Sequence, residues 1–157
     1  MYLARHSTVE CLFHVKTNKE PVMDNLITKH TPALLEKTFD SVYLFGHPLY
    51  SLLAEKTELP WLLVIPKQAL KERSYIEQLY GEIYQMIDVL QKAGFGPHYN
   101  IAKIGNKSPN LHLHIIFRDS EDEVWPDAVW CHEPLRASDE MPERLREALQ
   151  GHFSEAL

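Results

Sequence analysis

The stretch Asn110-Leu111-His112-Leu113-His114-Ile115-Ile116-Phe117-Arg118 decides how this chain is read. As a strand it sends successive side chains to opposite faces. Asn110, His112 and His114 then share one face, and Leu111, Leu113, Ile115 and Phe117 share the other and can enter a core. Two imidazoles in a row on a rigid element suit a preorganised site. Taken alone, an H-x-H pair has three readings: histidines on the solvent face of a strand, ligands of a metal ion, or catalytic groups. The chain has nine histidines, so the choice rests on what surrounds the pair.

Working outward, residues 99–104 read as a strand ending at Gly105-Asn106, and a loop through Pro109 leads into 110–118. Upstream, Ser74 and Glu77 fit the S-x-x-E capping box, in which each side chain satisfies a free backbone N–H at a helix start. Ile76, Leu79, Tyr80, Ile83, Ile87 and Leu90 follow on one helical stripe, and Gly94 suits a left-handed stop. Residues 61–65 (WLLVI) lie between Pro60 and Pro66, as expected of a strand buried on both faces. Residues 41–45 (SVYLF), ending at Gly46, read as a short buried strand. Between these two, 47–60 reads as a connection with room for one helical turn around Leu49, Leu52 and Leu53. Residues 8–15 read as a strand, 17–21 as a turn, and 31–37 as a helical turn or the start of a strand. The tail, 142–157, reads as an amphipathic helix with Leu145, Leu149, Phe153 and Leu157 on one side. Strands, one long helix, more strands and a C-terminal helix favour α+β with an antiparallel sheet over a doubly wound parallel one.

The 157 residues predict a single domain, 1–157, at about 150 residues per domain. A net charge of −6 repels phosphate backbones at long range, so a general nucleic-acid binder is not expected, although one small anion can still find a local basic pocket. No apolar run approaches the length of a membrane span, and the first residues lack the apolar core of a secretory signal. With two cysteines far apart, Cys11 and Cys131, a reduced cytoplasmic protein is the simplest expectation. Neither G-x-G-x-x-G nor G-x-x-x-x-G-K occurs, so no phosphate loop of those kinds is expected.

Four segments occur in order: Trp61 to Lys67 (WLLVIPK), Asn100 to Asn106 (NIAKIGN), Asn110 to Ile116 (NLHLHII) and Trp125 to Trp130 (WPDAVW). Together they resemble the histidine triad (HIT) superfamily, whose motif is His-φ-His-φ-His-φ-φ with φ apolar. The similarity is greatest to a bacterial HIT-like branch with Gly-Asn before the motif and W-P-x-x-V-W after it. It covers roughly residues 40–131 and leaves 1–30 poorly defined and without an assigned role.

The resemblance implies a HIT-like antiparallel sheet of about five strands with one long helix and a C-terminal helix, usually paired into a homodimer. It implies a nucleotide phosphohydrolase or nucleotidyl transferase acting at the α-phosphorus, with no cofactor and no metal. By position, His112 matches the nucleophile and His114 the third histidine, while Asn110 replaces the first. Asn106 matches an amide that contacts phosphate, and Asn100 an Asn that helps position it. Lys107 stands where many members carry a small hydroxyl residue, and Ser108 is one step away. An imidazole with an unperturbed pKa of about 6.5 is a good nucleophile near neutrality. A nucleotidyl-histidine intermediate splits one difficult step into two. His112 would expose one ring nitrogen and bond a backbone carbonyl with the other.

Two departures matter. An amide at Asn110 hydrogen-bonds but cannot act as a general acid. Where many HIT proteins bind the ribose hydroxyls with an acidic or Asn residue, Gly46 and His47 stand here. Two other readings stay open. The first is a non-catalytic nucleotide- or phosphoester-binding module; the second is a metal-dependent hydrolase using the H-x-H pair, with Cys131-His132 as further ligands in a spacing that matches no standard zinc signature. Trp125 and Trp130 read first as packing residues and second as walls of the pocket or of a dimer contact. The acidic run Asp119, Glu121, Asp122 and Glu123 reads as a solvated loop.

Overall fold

The structure is a computed structural model and describes residues 24–132 and 134–154. The strand expected at 8–15 and the turn at 17–21 lie outside the described residues. The elements run α1 (Pro32–Phe39), β1 (Val42–Gly46), β2 (Tyr50–Ala54), β3 (Trp61–Pro66), α2 (Arg73–Lys92), β4 (His98–Ala102), β5 (Leu113–Arg118), a 3-10 turn (Val129–Cys131) and α3 (Glu140–Ser154). The five strands form one sheet in the order β1-β2-β3-β5-β4, and every neighbouring pair is antiparallel. The fold is therefore α+β, as expected.

β2, β3 and β5 are buried along their whole length. Their alternation splits the core in two. One face carries Leu52, Leu62, Val64, Leu113, Ile115 and Phe117 against α2 and α3. The other carries Leu53, Leu63, Ile65, Trp61 and Ile116, covered by Leu35 of α1 and by Leu59, Val124 and Val129 from loops. Full burial of one such side chain contributes about 1.5–3 kcal/mol, so the three central strands dominate the stability of the sheet. The site lies on the second face, where the cover is thinner.

Several expectations need correction. The 47–60 connection holds no helical turn; it contains β2, paired with β1 on one side and β3 on the other. Tyr50, Ser51, Leu52, Leu53 and Ala54 are all buried, so no polar residue marks an outer face, and alternation, the usual strand signal, is missing. The capping box is not made. α2 starts at Arg73, with Glu72 as N-cap and no side-chain cap bond. The Tyr75 hydroxyl fixes the start instead, donating to the Leu49 carbonyl at 2.6 Å and accepting the N–H groups of Lys67 and Gln68. This hook turns the buried stripe to Tyr75, Leu79, Ile83, Met86, Ile87 and Leu90, leaving Ile76 and Tyr80 at its margin. Gly94 does end the helix, at φ +86°. Phe95 N–H bonds the Leu90 carbonyl and Gly94 N–H that of Gln91, the paired bonds of a Schellman stop.

β5 is shorter than 110–118. Asn110 makes only an isolated parallel bridge to Asn25, and the strand begins at Leu113. Residues 32–37 belong to α1, with Thr31 as its N-cap, and α3 begins at Glu140 with Pro142 in its first turn, where a missing N–H costs nothing. Leu145, Leu149 and Phe153 are buried as expected; Leu157 lies outside the described residues.

Candidate active site

The site forms where the chain enters β5. His112 donates its Nδ1–H to the carbonyl oxygen of Asn110 at 2.6 Å, because a carbonyl only accepts. In the neutral ring the free lone pair is then on Nε2. The contact spans two residues and draws the backbone out of strand geometry, which is why the ladder starts one residue later. Phe39, at the end of α1, packs edge-on against the His112 ring with centroids 5.3 Å apart.

His114 lies one strand step on, its ring centroid 4.7 Å from that of His112 and the planes 80° apart. The residues directly opposite it are Leu63 on β3 and Ala102 on β4. Neither offers charge or a side-chain hydrogen bond. Trp61 pairs with Ile116 across β3 and β5 and meets His114 on the diagonal, a distance that aromatic side chains bridge. Its indole Nε1–H donates to His114 Nδ1 at 3.0 Å. Trp130 closes the group, its ring 5.2 Å from His114 and 5.7 Å from Trp61. Burial, and then the adjacent His112, push the His114 pKa down to about 3; His114 is thus neutral in ordinary buffers.

The other candidate residues gather unevenly. Ser108 Oγ accepts the N–H of Asn110 at 3.4 Å, so it sits at the mouth of the motif. Asn106 and Lys107 are exposed in the loop that precedes it. That loop is braced from the N-terminal side. Asn25 exchanges backbone bonds with Pro109 and Leu111, and the Asp24 carboxylate pairs with Lys103 at 2.7 Å. Asn100 stands on the same face of the sheet as His114, and its side-chain oxygen accepts from Arg118 at 3.2 Å. Asn100 lies opposite Ile116, whereas Ala102 lies opposite His114, which puts Asn100 about 7 Å further along the sheet. For Asn110, the contact that anchors the nucleophile candidate is its backbone carbonyl.

Two readings of the following loop also change. Asp122 is not a solvated charge. It grips Arg118 with both oxygens, at 2.6 and 3.0 Å, and both side chains are buried. Arg118 also donates to the Asp127 carbonyl at 3.0 Å. This buried knot shapes the loop that carries Trp130 to His114. Trp130 is therefore a wall of the site as well as a packing residue, whereas Trp125 stacks on His98 at 5.3 Å with much of its surface exposed. Trp61, Phe39 and the brace from Asp24 and Asn25 are not singled out by sequence reasoning. Trp61 heads β3, which lies beside the histidine strand only through the sheet order, with α2 and β4 between them in the chain. Among the described residues, no group of three or more His, Cys, Asp or Glu side chains is arranged to hold a metal ion.

No family model and no curated protein matches the chain. Solved structures do. A histidine triad protein from Bradyrhizobium japonicum is 29% identical, with a TM-score of 0.65, over 76% of this chain and 93% of its own. One from Marinobacter aquaeolei VT8 is 22% identical, with a TM-score of 0.69, over 83% and 98%. One from Sinorhizobium meliloti 1021 is 23% identical, with a TM-score of 0.64, over 85% and 100%. The sheet order and the paired histidines define a histidine-triad type of α+β domain. The chain belongs to the histidine triad (HIT) superfamily. Among the described residues, no helix is long and apolar enough to cross a membrane.

Proposed function

We propose that this HIT protein is a nucleotide phosphohydrolase or nucleotidyl transferase that works through a covalent nucleotidyl-histidine. The observation that carries the reading is the His112–Asn110 contact, which occupies Nδ1 and leaves Nε2 as the ring nitrogen for attack, beside the His114 imidazole. In the first step the Nε2 lone pair forms a P–N bond at the α-phosphorus, and the bond from phosphorus to the leaving group breaks with its electron pair. In the second step water attacks phosphorus, the P–N bond breaks, and the water proton leaves to solvent. An acceptor other than water gives transfer instead of hydrolysis. Ser108 and the exposed Asn106 and Lys107 border the mouth of the motif and would meet the phosphate there. The partner class is a small nucleotide or phosphoester.

Two observations favour the second reading, a binding module without efficient turnover. The residue in the place of the first histidine is an amide, and Asn100 is engaged with Arg118. The expected homodimer is proposed on the β4 edge of the sheet, where Tyr84 of α2 stands 52% exposed beside Tyr99. Sedimentation of wild type and Tyr84→Lys tests it, with a dimer lost in the variant as the expected result. A cytoplasmic site of action is part of the same proposal and would be checked by fractionation.

The functional test is hydrolysis of dinucleoside polyphosphates and nucleoside phosphoramidates with EDTA present, by wild type and His112→Ala. Turnover by wild type alone, with a nucleotidyl adduct trapped on His112 by acid-free quenching, is the expected result. Turnover that EDTA abolishes would favour the metal-dependent reading. Binding without any turnover would leave the module reading.

A further inference from the structure

The two imidazoles of the site are held by opposite kinds of partner. His112 Nδ1 faces a carbonyl, which only accepts. His114 Nδ1 faces an indole N–H, which only donates. The neutral His112 ring therefore carries its proton on Nδ1, and the neutral His114 ring on Nε2.

The packing leaves His114 little choice. Trp61 is 5% exposed and is fixed by strand pairing opposite Ile116. Its ring meets that of His114 at 63° with centroids 5.5 Å apart, and Trp130 stands nearly perpendicular to Trp61. The cross-strand neighbours Leu63 and Ala102 supply no competing acceptor for an Nδ1 proton.

We propose that Trp61 is a positioning residue that sets the tautomer of His114, making it a fixed Nε2–H donor beside the attacking nitrogen of His112. The catalytic consequence rests on the nucleotidyl-histidine reading; the tautomer itself does not. A neutral imidazole that keeps its only proton on Nε2 donates a hydrogen bond but transfers no proton, since that would leave an imidazolate. His114 then stabilises charge on a phosphoryl or leaving-group oxygen. With an amide at Asn110, neither position 110 nor His114 hands a proton to the leaving group. The substrates this arrangement serves are those whose leaving group departs as a stable anion, such as the phosphoanhydride and acyl-phosphate classes, ahead of alkyl phosphoramidates, whose nitrogen must gain a proton.

The test begins with long-range nitrogen–proton correlation spectra of histidine-labelled protein without ligand. The expected wild-type result is an unprotonated Nδ1 and a protonated Nε2 at His114. Trp61→Phe, which keeps a ring and removes the donor, should give a mixture of tautomers. It should lower kcat about tenfold, below the cost of losing a direct oxyanion donor, with KM little changed. Trp61→His, which restores a ring N–H, should recover part of kcat. A wild-type spectrum with the proton on Nδ1 overturns the proposal, and so does an unaltered Nε2–H tautomer in Trp61→Phe. If Trp61→Phe does not fold, the wild-type spectrum decides alone. A protein that turns over nothing but shows the expected tautomer keeps this inference and removes the catalytic reading, so the two fail separately.

Discussion

His112 and His114 stand with ring centroids 4.7 Å apart, yet one donates from Nδ1 to a carbonyl and the other accepts at Nδ1 from an indole. Neighbouring rings on one face of one segment are thereby made chemically unlike. The difference comes from backbone geometry on one side and from a cross-strand tryptophan on the other.

The first consequence concerns Asn110. Its carbonyl orients His112, and every residue type has a carbonyl. Asn110→Ala should therefore keep the anchor and lower kcat less than about tenfold, whereas His112→Ala should lower it by about 10⁴-fold or more, the scale of losing a nucleophile. Steady-state kinetics on a substrate that wild type turns over decide the point. Equal losses in the two variants would show that the amide side chain, not the carbonyl, carries the role of position 110.

The burial of His114 makes stability depend on pH. Its pKa falls from the ordinary value of 6.5 to about 3 on folding, so the native state binds fewer protons than the unfolded chain between those values. The contribution is complete above the unfolded pKa and is lost as pH falls towards the folded one. At pH 5 the loss is about 2 kcal/mol, from 1.5 pH units at about 1.4 kcal/mol each. His30 and His47 are also pushed down by burial and add slope of the same sign. Urea unfolding at pH 7.5 and pH 5 for wild type and His114→Gln isolates one share: the variant should lose about 2 kcal/mol less on acidification. Parallel profiles would show that His114 titrates normally.

Much of this was legible in the sequence, and the failures have physical causes. β3 announces itself as an apolar run between two prolines, and the apolar face of β5 is spelled out by Leu113, Ile115 and Phe117. β2 does not, because Tyr50 to Ala54 is buried on both faces and has neither alternation nor bounding prolines. Leu52 and Leu53, with Leu49 just before the strand, imitate a helical spacing. In the site, His112 and His114 are readable because their alternation survives into the fold. Trp61 is not, since its role depends on which strand lies beside β5, a fact of topology rather than of local pattern. Asp122 misleads for the same reason: charges crowded in sequence look solvated until Arg118, buried four residues earlier, is seen to need one of them.

That pair gives a stability prediction. Burial pushes the Asp122 carboxyl up, but the Arg118 bonds, the Val124 N–H and the Asp119 backbone outweigh it and hold the group below the usual carboxylate range. Asp122→Ala leaves the guanidinium in a site 3% exposed without its charge partner. Breaking a buried pair from one side costs about 3–5 kcal/mol. Denaturant unfolding should show a loss of that size, and Trp130 fluorescence, read in a Trp61→Phe, Trp125→Phe background, should shift as the loop loosens. A loss under about 1 kcal/mol, as for a surface pair, would mean that water replaces the carboxylate.

Tyr50 gives a prediction of the opposite sign. It lies fully buried on β2, and its hydroxyl has no hydrogen-bond partner among the described residues. Burial, and then the Glu82 charge, push its pKa well above the ordinary phenol value, so the group stays protonated as an unused donor. An unmade hydrogen bond at a buried polar group costs about 1–3 kcal/mol. Tyr50→Phe removes the hydroxyl and keeps the ring, and with it the stacking on His47 at 4.6 Å and the edge contact with Phe153 at 6.3 Å. Stability should be unchanged or higher by about 1–2 kcal/mol. On the same strand Leu52→Ala, which opens a cavity, should cost about 2–5 kcal/mol. Urea unfolding of the two variants side by side separates the terms. A loss of more than about 1 kcal/mol in Tyr50→Phe would show that the hydroxyl is satisfied in solution, with a water beside Glu82 as the first place to look.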